Sequence, residues 1–189
     1  MSSAATSYQL FATCPPGLED VLGEELKAQL PSHRFRALRG GIELRVSRDE
    51  LWLLALRSRI ADTLRVRIGR FKATQFRGFV DRLKRLPWAA YLGEDEPVRV
   101  EVTSRKSALI HSGALAERVY AVLGRRAAGD GEVSTTIWVR MFRDQVTVSV
   151  DVGAGRLHRR GWRKASGAAP LRETFAASLV RLARAAEAA

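Results

Sequence analysis

Apolar residues along the chain recur at two spacings, and each stretch follows one of them. Tyr8 to Thr13 reads as a short strand closed by Pro15, Pro16 and Gly17. Leu18, Val21, Leu22, Leu26 and Leu30 then fall at helical spacing, with Glu19, Glu24, Glu25 and Lys27 facing away, until Pro31 ends the run. Phe35 to Leu38 is a candidate second strand, turned at Gly40-Gly41. Beyond it Ile42, Leu44 and Val46 alternate with Glu43 and Arg45, the period of a half-buried strand. Ser47 and Glu50 have the spacing of a capping box. The helix it predicts runs through Leu51, Leu54, Ala55 and Ile60, with Trp52, Leu53 and Leu56 widening its apolar face. Leu64, Val66 and Ile68 alternate with Arg65 and Arg67, and Gly69 marks a bulge or a strand end. The order so far is β-α-β-β-α-β.

The remainder repeats both periods. Phe76, Phe79, Val80, Leu83 and Leu86 form a helical stripe with Arg77, Arg82, Lys84 and Arg85 opposite. Pro87 breaks it, and Trp88 and Tyr91 lie in a loop that ends in Glu94, Asp95 and Glu96. Val98, Val100 and Val102 predict a strand, and Ser104 to Ile110 a basic, polar connection. Leu115, Val119, Val122 and Leu123 predict a helix that Gly124 terminates in the left-handed conformation. Ile137, Val139 and Met141, then Val146, Val148, Val150 and Val152, are the two arms of a hairpin turned at Phe142 to Gln145. Last, Pro170 opens a helix carrying Leu171, Phe175, Leu179 and Leu182. The fold class is α+β, with antiparallel pairing expected and no doubly wound βαβα run.

Charge changes the picture more than composition does. The 189 residues carry a formal charge of +12 and a pI near 11.0, which favours a polyanionic partner, nucleic acid before an acidic membrane surface. Nothing approaches the roughly 18-residue apolar run that a bilayer span needs. The opening residues MSSAATS lack the charged and apolar regions of a secretory signal, and Cys14 is the one cysteine, so a reducing cytoplasm is expected.

The cations concentrate near the carboxyl end. No acid lies between Asp151 and Glu173, whereas Arg156, Arg159, Arg160, Arg163, Lys164 and Arg172 do, with His158 and Trp162 among them. Guanidinium groups pair with phosphate and flat rings stack on bases, so the stretch suits a looped or single-stranded nucleic acid. A solvated basic linker has the same composition, and both readings stand. Arg105 and Lys106 are further candidate contacts, with a solvated loop as the alternative.

Catalytic chemistry finds no purchase. Gly153-Ala154-Gly155 follows a strand but precedes a basic polar loop, not the helix that a dinucleotide or S-adenosylmethionine turn requires. His33, His111 and His158 are dispersed, so no metal site is expected. Cys14 reads as a buried structural thiol.

Three segments, FATCPPGLEDVLGEEL, the GGIEL turn and LWLLALRSRIADTLRVRIGRF, resemble the N-terminal part of bacterial 23S ribosomal-RNA guanine-N2 methyltransferases. So does the closing series VTVSVDVGAGRLHRRGWRKASGAAPLRETFAASLV. LHRRGWRKASGAAPLRET is its most specific piece, with Trp162 where the family more often has tyrosine.

The resemblance implies a ferredoxin-like domain over residues 1–70 and a THUMP RNA-binding domain over 71–155. Residues 156–189 would be a basic linker and the first helix of a Rossmann-like methyltransferase domain. In that family S-adenosylmethionine binds to the catalytic domain, and its cofactor loop and asparagine-proline-proline motif would follow this helix. The expectation is an RNA-binding module, without catalytic residues or a bound cofactor of its own, that meets structured, ribosomal RNA through Arg105, Lys106, His158, Arg159, Arg160, Trp162, Arg163 and Lys164. Two alternatives accompany it. One is an interaction subunit docking a separate methyltransferase domain through Leu171, Phe175, Leu179 and Leu182; the other is a truncated remnant of such an enzyme.

Overall fold

The computed structural model describes residues 7–153, 155–158, 160–161 and 170–187. The chain divides into two units, one made of residues 1–65 and 156–189, the other of residues 66–155.

In the first unit β1 (Tyr8–Thr13), α1 (Glu19–Gln29), β2 (Arg36–Leu38), β3 (Gly41–Val46) and α2 (Arg48–Arg57) are followed by the start of β4 (Thr63–Lys72). β3 pairs antiparallel with both β1 and β2, and β4 lies on the other side of β1. The β1–β3 register is held where Gly41 faces Thr13. A Cβ there would stand 2.2 Å from the Ala12 carbonyl oxygen, so only glycine allows this approach. The Ser47–Glu50 capping box forms as predicted, with Glu50 N–H donating to Ser47 Oγ and Ser47 N–H to Glu50 Oε2. Leu10, Leu22, Leu26, Leu44, Leu51, Leu54 and Leu64 are buried.

Several local expectations change. Trp52 and Leu56 are 55% and 73% exposed, since α2 buries the stripe carrying Leu51 and Leu54. α2 also stops at Arg57, and Ile60 is buried within the turn that follows. Glu25, expected to face solvent, is buried: its carboxylate accepts from Ser58 Oγ at 2.6 Å and from the amides of Arg59 and Ile60 at 2.9 and 3.4 Å. A buried carboxylate needs such donors, and here it organises the turn after α2.

The second unit holds the rest of β4, α3 (Phe76–Leu83), a short 3₁₀ turn at Trp88–Ala90, β5 (Val98–Arg105), α4 (Ser112–Leu123), β6 (Thr135–Phe142) and β7 (Gln145–Asp151). The strand order is β4-β7-β6-β5. β6 and β7 form the expected antiparallel hairpin, but β5 runs parallel to β6, because α4 carries the chain back between them. Gly124 ends α4 at φ +62°. Gly69 lies inside β4 and not at its end; a Cβ there would meet the Leu86 side chain at 2.4 Å, so its bareness makes room for Leu86. Phe79, Leu83, Leu115, Val119, Ile137, Val139, Met141, Val146 and Val148 build the core of this unit.

The last helix, α5 (Glu173–Glu187), belongs to the first unit. It starts later than predicted: the Arg172 carbonyl accepts the first helical bond, from Ala176 N–H, so Pro170 and Leu171 precede it. Among the described residues no helix is long and apolar enough to cross a membrane.

Candidate nucleic-acid interface

One end of the second unit gathers cations around a ring. The parallel register sets Arg105 beside Phe142, and Arg143 N–H donates to the Arg105 carbonyl at 3.3 Å. The guanidinium groups of Arg140 and Arg143 lie over the Phe142 ring, 5.5 and 5.4 Å from its centre. These contacts pre-orient two side chains that would otherwise roam. Arg105, Lys106, Arg140 and Arg143 are all exposed.

The backbone here is unusual. Lys106, Arg143 and Asp144 have φ of +51°, +50° and +61° without being glycine. Two consecutive positive-φ residues are the signature of a type I′ hairpin turn, which asparagine and glycine serve at less cost. Asp144 is the acid in this cluster. Its carboxylate accepts from Ala108 N–H at 2.7 Å and its N–H donates to Ser107 Oγ at 3.0 Å, which ties the connection after β5 to the hairpin. Arg140 and Arg143 were missed in the sequence; the signal for Arg143 was a basic residue at a turn position where arginine has no conformational reason to be, whereas Arg140 lies within β6.

The carboxyl-proximal candidates lie in the first unit and have different surroundings. His158 is largely buried, with Nδ1 3.6 Å from Asp62 Oδ1. Arg160 directs its guanidinium at the end of α2, donating to the carbonyls of Ala55 at 2.9 Å, Ser58 at 2.7 Å and Leu56, while Nε donates to the Leu157 carbonyl at 2.9 Å. These α2 carbonyls lack helical partners, and a cation at a helix C-terminus also meets the negative end of its dipole. Arg159, Trp162, Arg163 and Lys164 lie outside the described residues.

α5 is amphipathic in the reverse sense. Thr174 and Ser178 are 0% and 2% exposed, whereas Leu171, Phe175, Leu179 and Leu182 are 52%, 39%, 58% and 48% exposed. Thr174 Oγ1 donates to Asp62 Oδ1 at 3.1 Å, and Ser178 Oγ to the Thr174 carbonyl at 2.8 Å, so the buried hydroxyls are satisfied.

The remaining chemistry is spare. Burial, with Glu19 and Asp62 nearby, pushes the Cys14 thiol up to about 12, so it stays protonated and unreactive. Among the described residues no cluster of three or more histidine, cysteine or carboxylate groups could hold a metal. Gly153 and Gly155 follow β7, but the chain continues into bends and turns.

Comparison with known proteins finds related sequences and structures. Residues 9–66 match the RlmL ferredoxin-like domain. The ribosomal RNA large subunit methyltransferase K/L of Methylococcus capsulatus is 31% identical over 179 residues, which are 90% of this chain and 24% of that protein. The putative RNA methyltransferase YpsC of Bacillus subtilis is 29% identical over 93% of this chain and 48% of its own length. A crystal structure described as a predicted N6-adenine-specific DNA methylase from Listeria monocytogenes superposes with a TM-score of 0.82. It is 32% identical and covers 94% of this chain and 48% of that one. The chain thus spans a quarter to a half of the proteins it matches, and it corresponds to the N-terminal region of the large-subunit ribosomal RNA methyltransferase family.

Proposed function

We propose that this chain is the RNA-recognition part of a ribosomal RNA guanine methyltransferase. Residues 1–70 serve as its ferredoxin-like domain, 71–155 as a THUMP domain, and 156–189 lead into catalytic machinery that lies elsewhere. The observation that carries this reading is the cluster of Arg105, Lys106, Arg140 and Arg143 around Phe142. All four cations are exposed; ring contacts pre-orient Arg140 and Arg143, and left-handed backbone holds Lys106 and Arg143. Such a surface grips phosphates through counterion release and needs no base-specific contact to do so. A formal charge of +12 supports it, as does the RNA named for the relatives. Ribosomal RNA as the substrate also makes the cytoplasm the place of action.

In this reading the methyl group comes from S-adenosylmethionine bound to a catalytic domain, and the chain itself transfers nothing. The sequence contains no asparagine, so the family's asparagine-proline-proline motif is not in it. The test pairs two assays on the purified chain. It binds a 23S ribosomal RNA fragment with strong salt dependence, and incubation with labelled S-adenosylmethionine and undermodified RNA gives no incorporation. Salt-independent or absent RNA binding overturns the first half; methyl transfer by the chain overturns the second.

A second reading concerns α5. Its exposed leucines and Phe175 form the face that a methyltransferase domain would cover, whether that domain continues the chain or is a separate polypeptide. The catalytic half of the Bacillus subtilis relative, supplied as its own polypeptide, is the probe. Capture by the native chain and its loss in Phe175→Glu are expected; capture that survives this substitution removes α5 from the interface.

A further inference from the structure

Asp62 is a junction. Its N–H donates to the Thr13 carbonyl at 2.7 Å and its own carbonyl accepts from Leu157 N–H at 2.8 Å. The carboxylate accepts from Thr174 on α5 at 3.1 Å and stands 3.6 Å from His158. One residue thus ties the end of β1, the 157–158 turn and the first turn of α5 together. Three residues along from Leu157, Arg160 clamps the same turn onto the C-terminus of α2 through three carbonyls. Farther along α5, Arg181 pairs with Glu24 of α1 at 3.7 Å.

These contacts are polar and directional, and they hold a helix whose apolar side chains point elsewhere. Hydrophobic burial alone would seat α5 on its leucine face, because burial is non-directional and scales with area. Hydroxyl and carboxylate partners instead fix both which face is inward and its register, since a hydrogen bond weakens steeply with misalignment. A partly buried carboxylate left without its donors loses part of its compensation for desolvation, so alternatives to the arrangement are disfavoured.

We infer that Asp62 and Arg160 are positioning residues: together they latch α5 to the first unit so that its apolar face is presented in one orientation to the catalytic domain. The consequence for docking rests on the reading of α5 given above; the latch itself does not. It assigns Arg160 and His158 to holding the connection to α5, and leaves phosphate contact to the cluster in the second unit.

Hydrogen exchange of the α5 amides reads the latch directly. Arg160→Ala raises exchange across α5 by roughly tenfold or more, as expected for lost hydrogen bonds to a charged group, while exchange in β6 and β7 and the affinity for RNA stay at native values. Millimolar guanidinium restores protection in Arg160→Ala and sodium chloride at equal strength does not, which a general packing defect would not show. Asp62→Asn repeats the loss of α5 protection, and the milder Thr174→Val does so even where Asp62→Asn fails to fold. Unchanged α5 exchange in Arg160→Ala, or rescue by any salt, overturns the latch. With the Bacillus subtilis catalytic half as probe, Arg160→Ala weakens capture, whereas Phe175→Glu abolishes capture and leaves exchange native. A native chain that captures nothing refutes the docking reading alone, because exchange still decides the latch.

Discussion

Replacing Lys106 and Arg143 together by asparagine separates binding from folding at the proposed RNA surface. Both residues are exposed cations held at φ of +51° and +50°. A side chain with a Cβ in the left-handed region costs about 1 kcal/mol, and asparagine tolerates it better than most. Against that gain stands the Arg143–Phe142 contact, about 0.5–1 kcal/mol at an exposed site. The two roughly cancel, so the double variant should unfold within about 1 kcal/mol of the native chain, a few degrees in Tm for a unit of this size.

Binding should move much further. If Arg105, Lys106, Arg140 and Arg143 each neutralise one phosphate of a duplex, log K falls with log salt at a slope of about −3.6, and removing two brings it to about −1.8. Between 50 and 200 mM salt the native affinity would then fall by about 150-fold and the variant's by about 12-fold. Fluorescence anisotropy on a labelled 23S ribosomal RNA fragment across that range measures the slope, and thermal unfolding monitored by circular dichroism measures stability. Two results would refute the reasoning: an unchanged slope, or destabilisation beyond about 2 kcal/mol, which would make these residues part of the fold.

Other expectations follow from single sites. Leu179→Glu leaves the melting curve of the chain within about 0.5 kcal/mol of native, because the position is 58% exposed; a larger loss in chemical denaturation would mean the face is covered within the chain itself. Gly41→Ala drives a Cβ to 2.2 Å from the Ala12 carbonyl and should cost several kcal/mol, read as collapse of the first unit's exchange protection. The Cys14 thiol rises from 9.0 to about 12 on folding, so the unfolded chain loses this proton first; stability should fall as pH rises from about 9 towards 12 and be unaffected by this group below that window. Cys14→Ser, followed by denaturation across pH, checks the sign. Native Cys14 should also resist thiol reagents at neutral pH, whereas rapid labelling without unfolding would contradict its burial.

Much of the architecture is local and was legible in the residues. The capping box at Ser47, the left-handed stop at Gly124 and the alternation of β6 and β7 depend on neighbours a few positions apart, so period and turn chemistry suffice to place them. The excess of cations is likewise a property of composition and needs no fold to be read.

Long-range partners decided the rest. Glu25 looks like a solvent-facing residue until the turn after α2 offers it donors from thirty-odd positions away. Arg160 looks like a phosphate ligand until α2 brings its unpaired carbonyls within reach, and Arg140 and Arg143 join Arg105 only because β5 and β6 run parallel. In α5 helical spacing finds the apolar stripe but leaves open whether the chain's own globule or a partner covers it. Asp62 and Glu24, distant in sequence, make the hydroxyl and arginine side the inner one. Periodicity reports which residues share a face, whereas which way that face turns depends on partners that only the folded chain brings together.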